Sequence, residues 1–169
     1  MFCFVSSSKV KREFDLHNYT TKDEVLQATD NIKLEPSADD TNTHLAIDEL
    51  IVDGFSELNG ARKVSDGHPR IGVLLTDSQS SMPNKTVQAA ARARNADVEM
   101  VVVGVGTKVH RNELEAIASA PICQHLILLD NVAEIDSLSY VIRHRISQGF
   151  HLFIRDSDFL IDVPLATTT

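Results

Sequence analysis

The 169-residue chain carries 24 acidic against 16 basic residues, a formal net charge of −8, and no cluster of Lys and Arg interrupts that balance. Binding nucleic acid through its phosphates needs a concentrated basic face, so no nucleic-acid partner is expected. The 43% of hydrophobic residues suffices for one domain's core, and the longest apolar runs are strand-sized, too short to insert through a membrane.

Taken in chain order, "MFCFVSS" lacks the basic start, the long apolar stretch and the cleavage site of a signal peptide, and reads as a strand. Residues 2–6 and 10–15 are predicted strands joined by Ser7-Ser8-Lys9. Only the second alternates apolar with charged residues, which suits a sheet edge. Thr21 followed by Glu24 makes a capping box, so "TTKDEVLQAT" begins a helix. A second helix is predicted over 43–53, with Leu45, Leu50 and Ile51 or Ala46, Ile47 and Leu50 on its apolar face. Gly54, Gly60, Gly67 and Pro69 punctuate the loose stretch that follows.

"RIGVLLTD" is a continuous apolar run with a polar tip, as in a strand covered on both faces. Pro83 suits the first turn of a helix to about Arg94. "VEMVVVGVG" is a second buried strand, "RNELEAIAS" a short helix stopped by Pro121, and "HLILLD" the last central strand. Asn131 and Glu134 then cap a helix running to about Arg145. This alternation is that of an α/β domain with a mainly parallel sheet. It fills residues 1–147 and leaves 148–169 as an unassigned tail.

Several short motifs invite a chemical reading and have a plainer one. "GVGTKV" at 104–109 lacks the third glycine of a dinucleotide loop and reads as a turn. Cys3 and Cys123 sit in apolar runs and read as small buried hydrophobes, with a disulfide between them the lesser reading. Cys123 and His125 would share one face of a strand but lack an orienting third group. His44 reads as a helix-surface residue, and the charges of "AARARNADVE" as a solvated face. Asn18-Tyr19-Thr20 and Asn84-Lys85-Thr86 are glycosylation acceptors that lean toward secretion. No nucleophile elbow, phosphate loop or paired carboxylates suggests an enzyme.

Thr41 and Asp77 raise the sharper question. Asp77 follows "VLLT" at a strand's carboxyl end, and Thr41 stands at a helix start after "EPSADD". Parallel sheets bind ligands beyond that rim. The ordinary reading of both residues is capping and turn chemistry. The other reading is that one carboxylate and one hydroxyl share a hard divalent cation, leaving it open to an external carboxylate.

The wording from "FVSSSKVKREFDLHNYTTKDEVLQAT" through "TNTHLAIDEL", "GVLLTDSQS", "VEMVVVGVG" and "ELEAIASAP" resembles a von Willebrand factor type A domain, in its matrix and collagen-like branch. The resemblance implies a doubly wound, mainly parallel sheet flanked by helices, with a metal-ion-dependent adhesion site on top. It carries Thr41 and Asp77 to the fourth and fifth ligand positions of that site. The other three ligands belong to an Asp-x-Ser-x-Ser run after the family's first strand, and none occurs ahead of Thr41. The first strand and first helix are therefore expected to be missing, leaving open strand edges. "DSDFL" near the end follows no strand in the right place and does not replace them. Ser78 stands where the family has Gly, implying a strained backbone there.

What the resemblance implies for function is a non-enzymatic adhesion module of a secreted, matrix-type protein. Mg²⁺ or Mn²⁺, bound weakly or not at all with two of five ligands, would take a Glu or Asp of an extracellular matrix or cell-surface partner. A metal-independent interaction scaffold is the alternative, and a small α/β hydrolase or nucleotide-binding enzyme the third.

Overall fold

A computed structural model describes residues 1, 3–33 and 40–134; the helix expected to Arg145 and the tail 148–169 lie outside them. Strands β1 (Cys3–Ser6) and β2 (Val10–Phe14) form the expected antiparallel hairpin, with Phe4 opposite Arg12 and Ser6 opposite Val10. The Ser7 N–H closes its turn on the Lys9 carbonyl at 3.0 Å. Helix α1 (Lys22–Asp30) starts on the predicted capping box, Thr21 accepting from the Glu24 N–H while the Glu24 carboxylate accepts from the Thr20 and Thr21 N–H groups. Helix α2 (Thr43–Glu49) runs into a single π turn over Leu50–Gly54. Two 3-10 turns follow, each ended by a glycine in the left-handed region, Gly60 and Gly67.

The second sheet is parallel, in the order β3 (Arg70–Thr76), β4 (Val98–Val105), β5 (Leu126–Leu129). A parallel pair cannot be joined by a tight turn, and the crossovers are α3 (Pro83–Asn95) and then α4 (Arg111–Ile117) with the short α5 (Ile122–His125). On α3 the expected solvated face holds: Arg92 and Arg94 are exposed, Arg92 paired with Asp48. The alanines between them belong to the core instead, since Ala89, Ala90 and Ala93 are fully buried and let the helix lie close to β4.

Among the described residues β1 pairs only with β2 and β3 only with β4, so the two sheets share no ladder. What spans them is α2 with its π turn. Ile47 and Leu50 belong to the main core cluster, against which Phe4 of β1 and Leu74 of β3 both pack. Leu50 lies so close to β3 that a Cβ on Gly72 would come within 2.6 Å of its Cδ2.

One alternative left open is resolved here and four expectations are corrected. Leu45 is 39% exposed, so the apolar face of α2 is the Ile47–Leu50 one. His44 is buried rather than on the surface, with its Nδ1 unpartnered. β3 is covered on one face only: Val73 and Leu75 are 40% and 57% exposed because no described element packs over them. Cys123 and His125 lie on α5, not on a strand, because the His125 ring reaches the Pro121 carbonyl and the Glu99 carboxylate and holds 122–125 in a helical turn. Cys123 is consequently exposed, Cys3 is half-buried, and both are free thiols.

Candidate functional site at the carboxyl rim

β3 delivers its carboxyl end to a loop of six residues, 77–82, before α3 begins. The Thr76 hydroxyl donates to the Ser78 carbonyl at 3.0 Å and turns the chain sharply after the strand. Ser78 does so without a positive φ, since Asp97 is the one non-glycine residue in that region among those described, and the strain expected there is absent. Asp77, at the apex, is exposed.

Two polar anchors fix the rest of the loop. Ser80 is buried and donates through its N–H and its hydroxyl to the buried Glu113 carboxylate of α4, while Thr86 donates to the Ser80 hydroxyl at 3.0 Å. Ser81 exchanges hydrogen bonds with Thr41: its N–H donates to the Thr41 carbonyl at 2.9 Å, and its hydroxyl accepts from the Thr41 N–H at 2.9 Å. Asn42 continues the clasp toward the hairpin, its N–H donating to the Ser7 carbonyl at 2.9 Å and its side-chain amide to the Ser8 carbonyl at 3.2 Å. Residues 41–42 thereby tie the ends of β1 and β3 to one rim.

That clasp decides against the capping reading. Helix α2 begins at Thr43, with Asn42 at the N-cap and no side-chain cap hydrogen bond, so neither threonine caps it. Among the described residues neither the Thr41 hydroxyl nor the Asp77 carboxylate is engaged in a hydrogen bond or ion pair. Both oxygens stay available at the rim. No group of three or more His, Cys, Asp or Glu suited to a metal occurs among the described residues.

The Ser80–Glu113–Thr86 anchor had no signal in the sequence. Glu113 reads there as one more charged residue on a short helix, and only the fold brings it 33 positions back to Ser80. The other candidates take their plainer reading: "GVGTKV" is a turn through Gly106 at φ +81, and Val109 packs on the core.

The model of the von Willebrand factor type A domain matches residues 4–141. The chain belongs to this family. Matrilin-1 of Gallus gallus is 36% identical over 145 residues, covering 85% of this chain and 27% of its own length. Matrilin-2 of Mus musculus is 34% identical over 139 residues, covering 82% and 14%. The chain thus spans about a quarter or less of these relatives' length. Among solved structures, proximal thread matrix protein 1 of the mussel byssus with a zinc-occupied MIDAS motif superposes with a TM-score of 0.77 at 19% identity, over 86% of this chain and 35% of that one. Manganese-loaded Plasmodium vivax TRAP protein gives 0.65 at 16%, over 86% and 56%. At such identities these likenesses speak for the fold, and the matrix-type assignment expected from the sequence stands on the matrilins.

Proposed function

We propose that this type A domain is a non-enzymatic adhesion or protein-interaction module of a secreted, matrix-type protein. Its Thr41 and Asp77 would meet an acidic group of an extracellular partner through a divalent cation. The observation that carries this reading is the Thr41–Ser81 clasp, which holds Thr41 beside the loop of Asp77 and, among the described residues, leaves both side-chain oxygens without a hydrogen bond or ion pair.

The donor set fits such an ion in kind, not in number. A hydroxyl and a carboxylate are hard oxygen donors, suited to Mg²⁺ or Mn²⁺, but an octahedral ion wants about six. Within this chain the Thr41 hydroxyl and the Asp77 carboxylate would hold it, and the Ser80 and Ser81 anchors would keep the loop from swinging away. The ion, when bound, supplies Lewis acidity toward a partner's carboxylate. The zinc-occupied site of the mussel protein and the manganese-loaded TRAP protein lend support by fold.

Calorimetric titration with Mn²⁺ tests this. Weak heat is expected for the chain itself, lost in Asp77→Ala, and a large gain when a segment carrying Asp-x-Ser-x-Ser is fused upstream. Binding that ignores both Asp77→Ala and Thr41→Ala would remove the site from the rim. One observation favours a metal-independent scaffold as second reading: the exposed Val73 and Leu75 offer apolar surface without any ion.

A further inference from the structure

We infer that Asn18 is a glycosylation site, its side-chain amide accepting an N-linked oligosaccharide, and that the fold closes the second acceptor tripeptide at Asn84. The motif demands a hydroxyl two residues beyond the amide, so a transferring enzyme must reach both groups from one side. The chain has two such tripeptides, Asn18-Tyr19-Thr20 and Asn84-Lys85-Thr86. The structure gives them opposite geometries.

Asn18 closes the turn that follows β2. Its side-chain carbonyl accepts from the Asp15 N–H at 2.6 Å, and its own N–H donates to the Asp15 carbonyl at 3.3 Å. The turn is braced on the loop beyond the π turn, the Leu16 N–H donating to the Asn59 carbonyl at 3.1 Å. These bonds fix the side chain and leave its Nδ2 without a protein partner among the described residues. Tyr19 turns inward, edge-on to Phe14 with ring centroids 5.4 Å apart, while Asn18 and Thr20 on either side of it are exposed. The Thr20 hydroxyl makes a 3.4 Å contact with the Glu24 carboxylate, too long to withhold it. Amide and hydroxyl are thus offered together to solvent.

Asn84 is the second residue of α3, and there the same spacing works against the motif. Two residues along an α-helix turn through about 200°, so Asn84 faces solvent while Thr86 faces the core at 0% exposure. The Thr86 hydroxyl donates to the Ser80 hydroxyl at 3.0 Å and to the Met82 carbonyl at 3.2 Å. Position separates the two tripeptides further. Asn84 follows Ser81 closely at the rim, where an oligosaccharide would stand against a partner. Asn18 belongs to the far end of the hairpin. The Ser7–Ser8 turn is clasped to the rim, and β2 runs about 17 Å away from it before the chain reaches Asp15. An oligosaccharide there leaves the rim open. In the transfer, Nδ2 bonds to the anomeric carbon of a lipid-pyrophosphate-linked oligosaccharide. The bond from that carbon to the pyrophosphate oxygen breaks, the lipid pyrophosphate leaves with the electron pair, and Nδ2 gives up one proton. Nothing is oxidised or reduced.

Expression of the full chain behind a cleavable secretion signal in mammalian cells tests this, with mass spectrometry of lysate and medium before and after peptide N-glycosidase. The inference rests on the secreted reading for its setting alone, since the added signal makes the result independent of where the native protein goes. One enzyme-sensitive glycan is expected, carried by the peptide that contains Asn18. Asn18→Gln and Thr20→Ala should each abolish it, Thr20→Ser should retain it, and Asn84→Gln should leave it unchanged. Asn18→Gln also loses the hydrogen bond to Asp15; where that variant misfolds, Thr20→Ala, which keeps the bond, decides. A chain without any glycan overturns the inference. So does a glycan that survives Thr20→Ala, and so does a second glycan that disappears in Asn84→Gln.

Discussion

At the residue scale, charge and burial act locally and can be tested one side chain at a time. Hydrogen bonds from the Thr20 and Thr21 N–H groups hold the exposed Glu24 carboxyl below its ordinary range. A carboxyl with a lower pKa folded than unfolded stabilises the fold fully above the unfolded value, and that help is lost as pH falls through the folded value. The melting-temperature difference between the chain and Glu24→Gln should therefore be present at pH 7 and vanish toward pH 2. Thr21→Ala, which removes the other half of the box, should cost about 1 kcal/mol at neutral pH by urea unfolding. The two thiols give a second contrast. Burial, and then the nearby Glu13 charge, push the half-buried Cys3 thiol up, so little thiolate forms there. Cys123 is exposed on α5. A thiol reagent at pH 7.5 should label Cys123 at once and Cys3 only slowly, with denaturant removing the difference; equal rates would contradict the placement of β1. Asp77 was legible in the sequence because a strand's carboxyl end is a position any reader can find. Ser80 and Glu113 were not, since a buried carboxylate between two helices and a loop leaves no spacing to detect.

At the element scale, what could be read in advance followed periodicity. Continuous apolar runs marked β3, β4 and β5, Pro83 marked the start of α3, and the Thr21–Glu24 pair marked α1. Where a tertiary contact overrides local pattern, reading failed. "HLILLD" reads as a strand from its first residue, yet His125 is drawn back to Pro121 and Glu99, so β5 starts at Leu126. The face of α2 that is buried was ambiguous for a related reason: both candidate stripes contain Leu50, and only the position of the sheet selects Ile47 over Leu45. Gly72 carries a consequence of that packing. A methyl there would meet Leu50 Cδ2 at 2.6 Å and Met100 Sδ at 2.9 Å, both at the ends of flexible side chains. Gly72→Ala should thus be accommodated at a cost of about 1–3 kcal/mol, the range of overpacked cores, rather than abolish folding. Urea denaturation with an unchanged m-value would agree; no loss of stability would mean that α2 sits further from β3.

At the scale of the whole molecule, the described residues form two sheets bridged by one short helix, so that helix sets how cooperatively they unfold. Leu50 is the contact that reaches β3, and Ile47 and Leu50 share their cluster with Phe4 of β1. Tyr19 packs edge-on against Phe14 of β2, ring centroids 5.4 Å apart, and reports on the hairpin. The other tyrosine of the chain is Tyr140, so Tyr140→Phe makes Tyr19 fluorescence a clean signal. In that background the Tyr19 transition and the loss of far-ultraviolet circular dichroism should coincide in urea, as one cooperative unit requires. Leu50→Ala removes a buried side chain at a cost of about 2–5 kcal/mol, and the loss falls on the bridge. The hairpin should then melt first, its Tyr19 midpoint lying below that of the dichroism, which follows α3 and α4 as well. Coincident curves in the variant would mean that a stronger link than α2 joins the sheets.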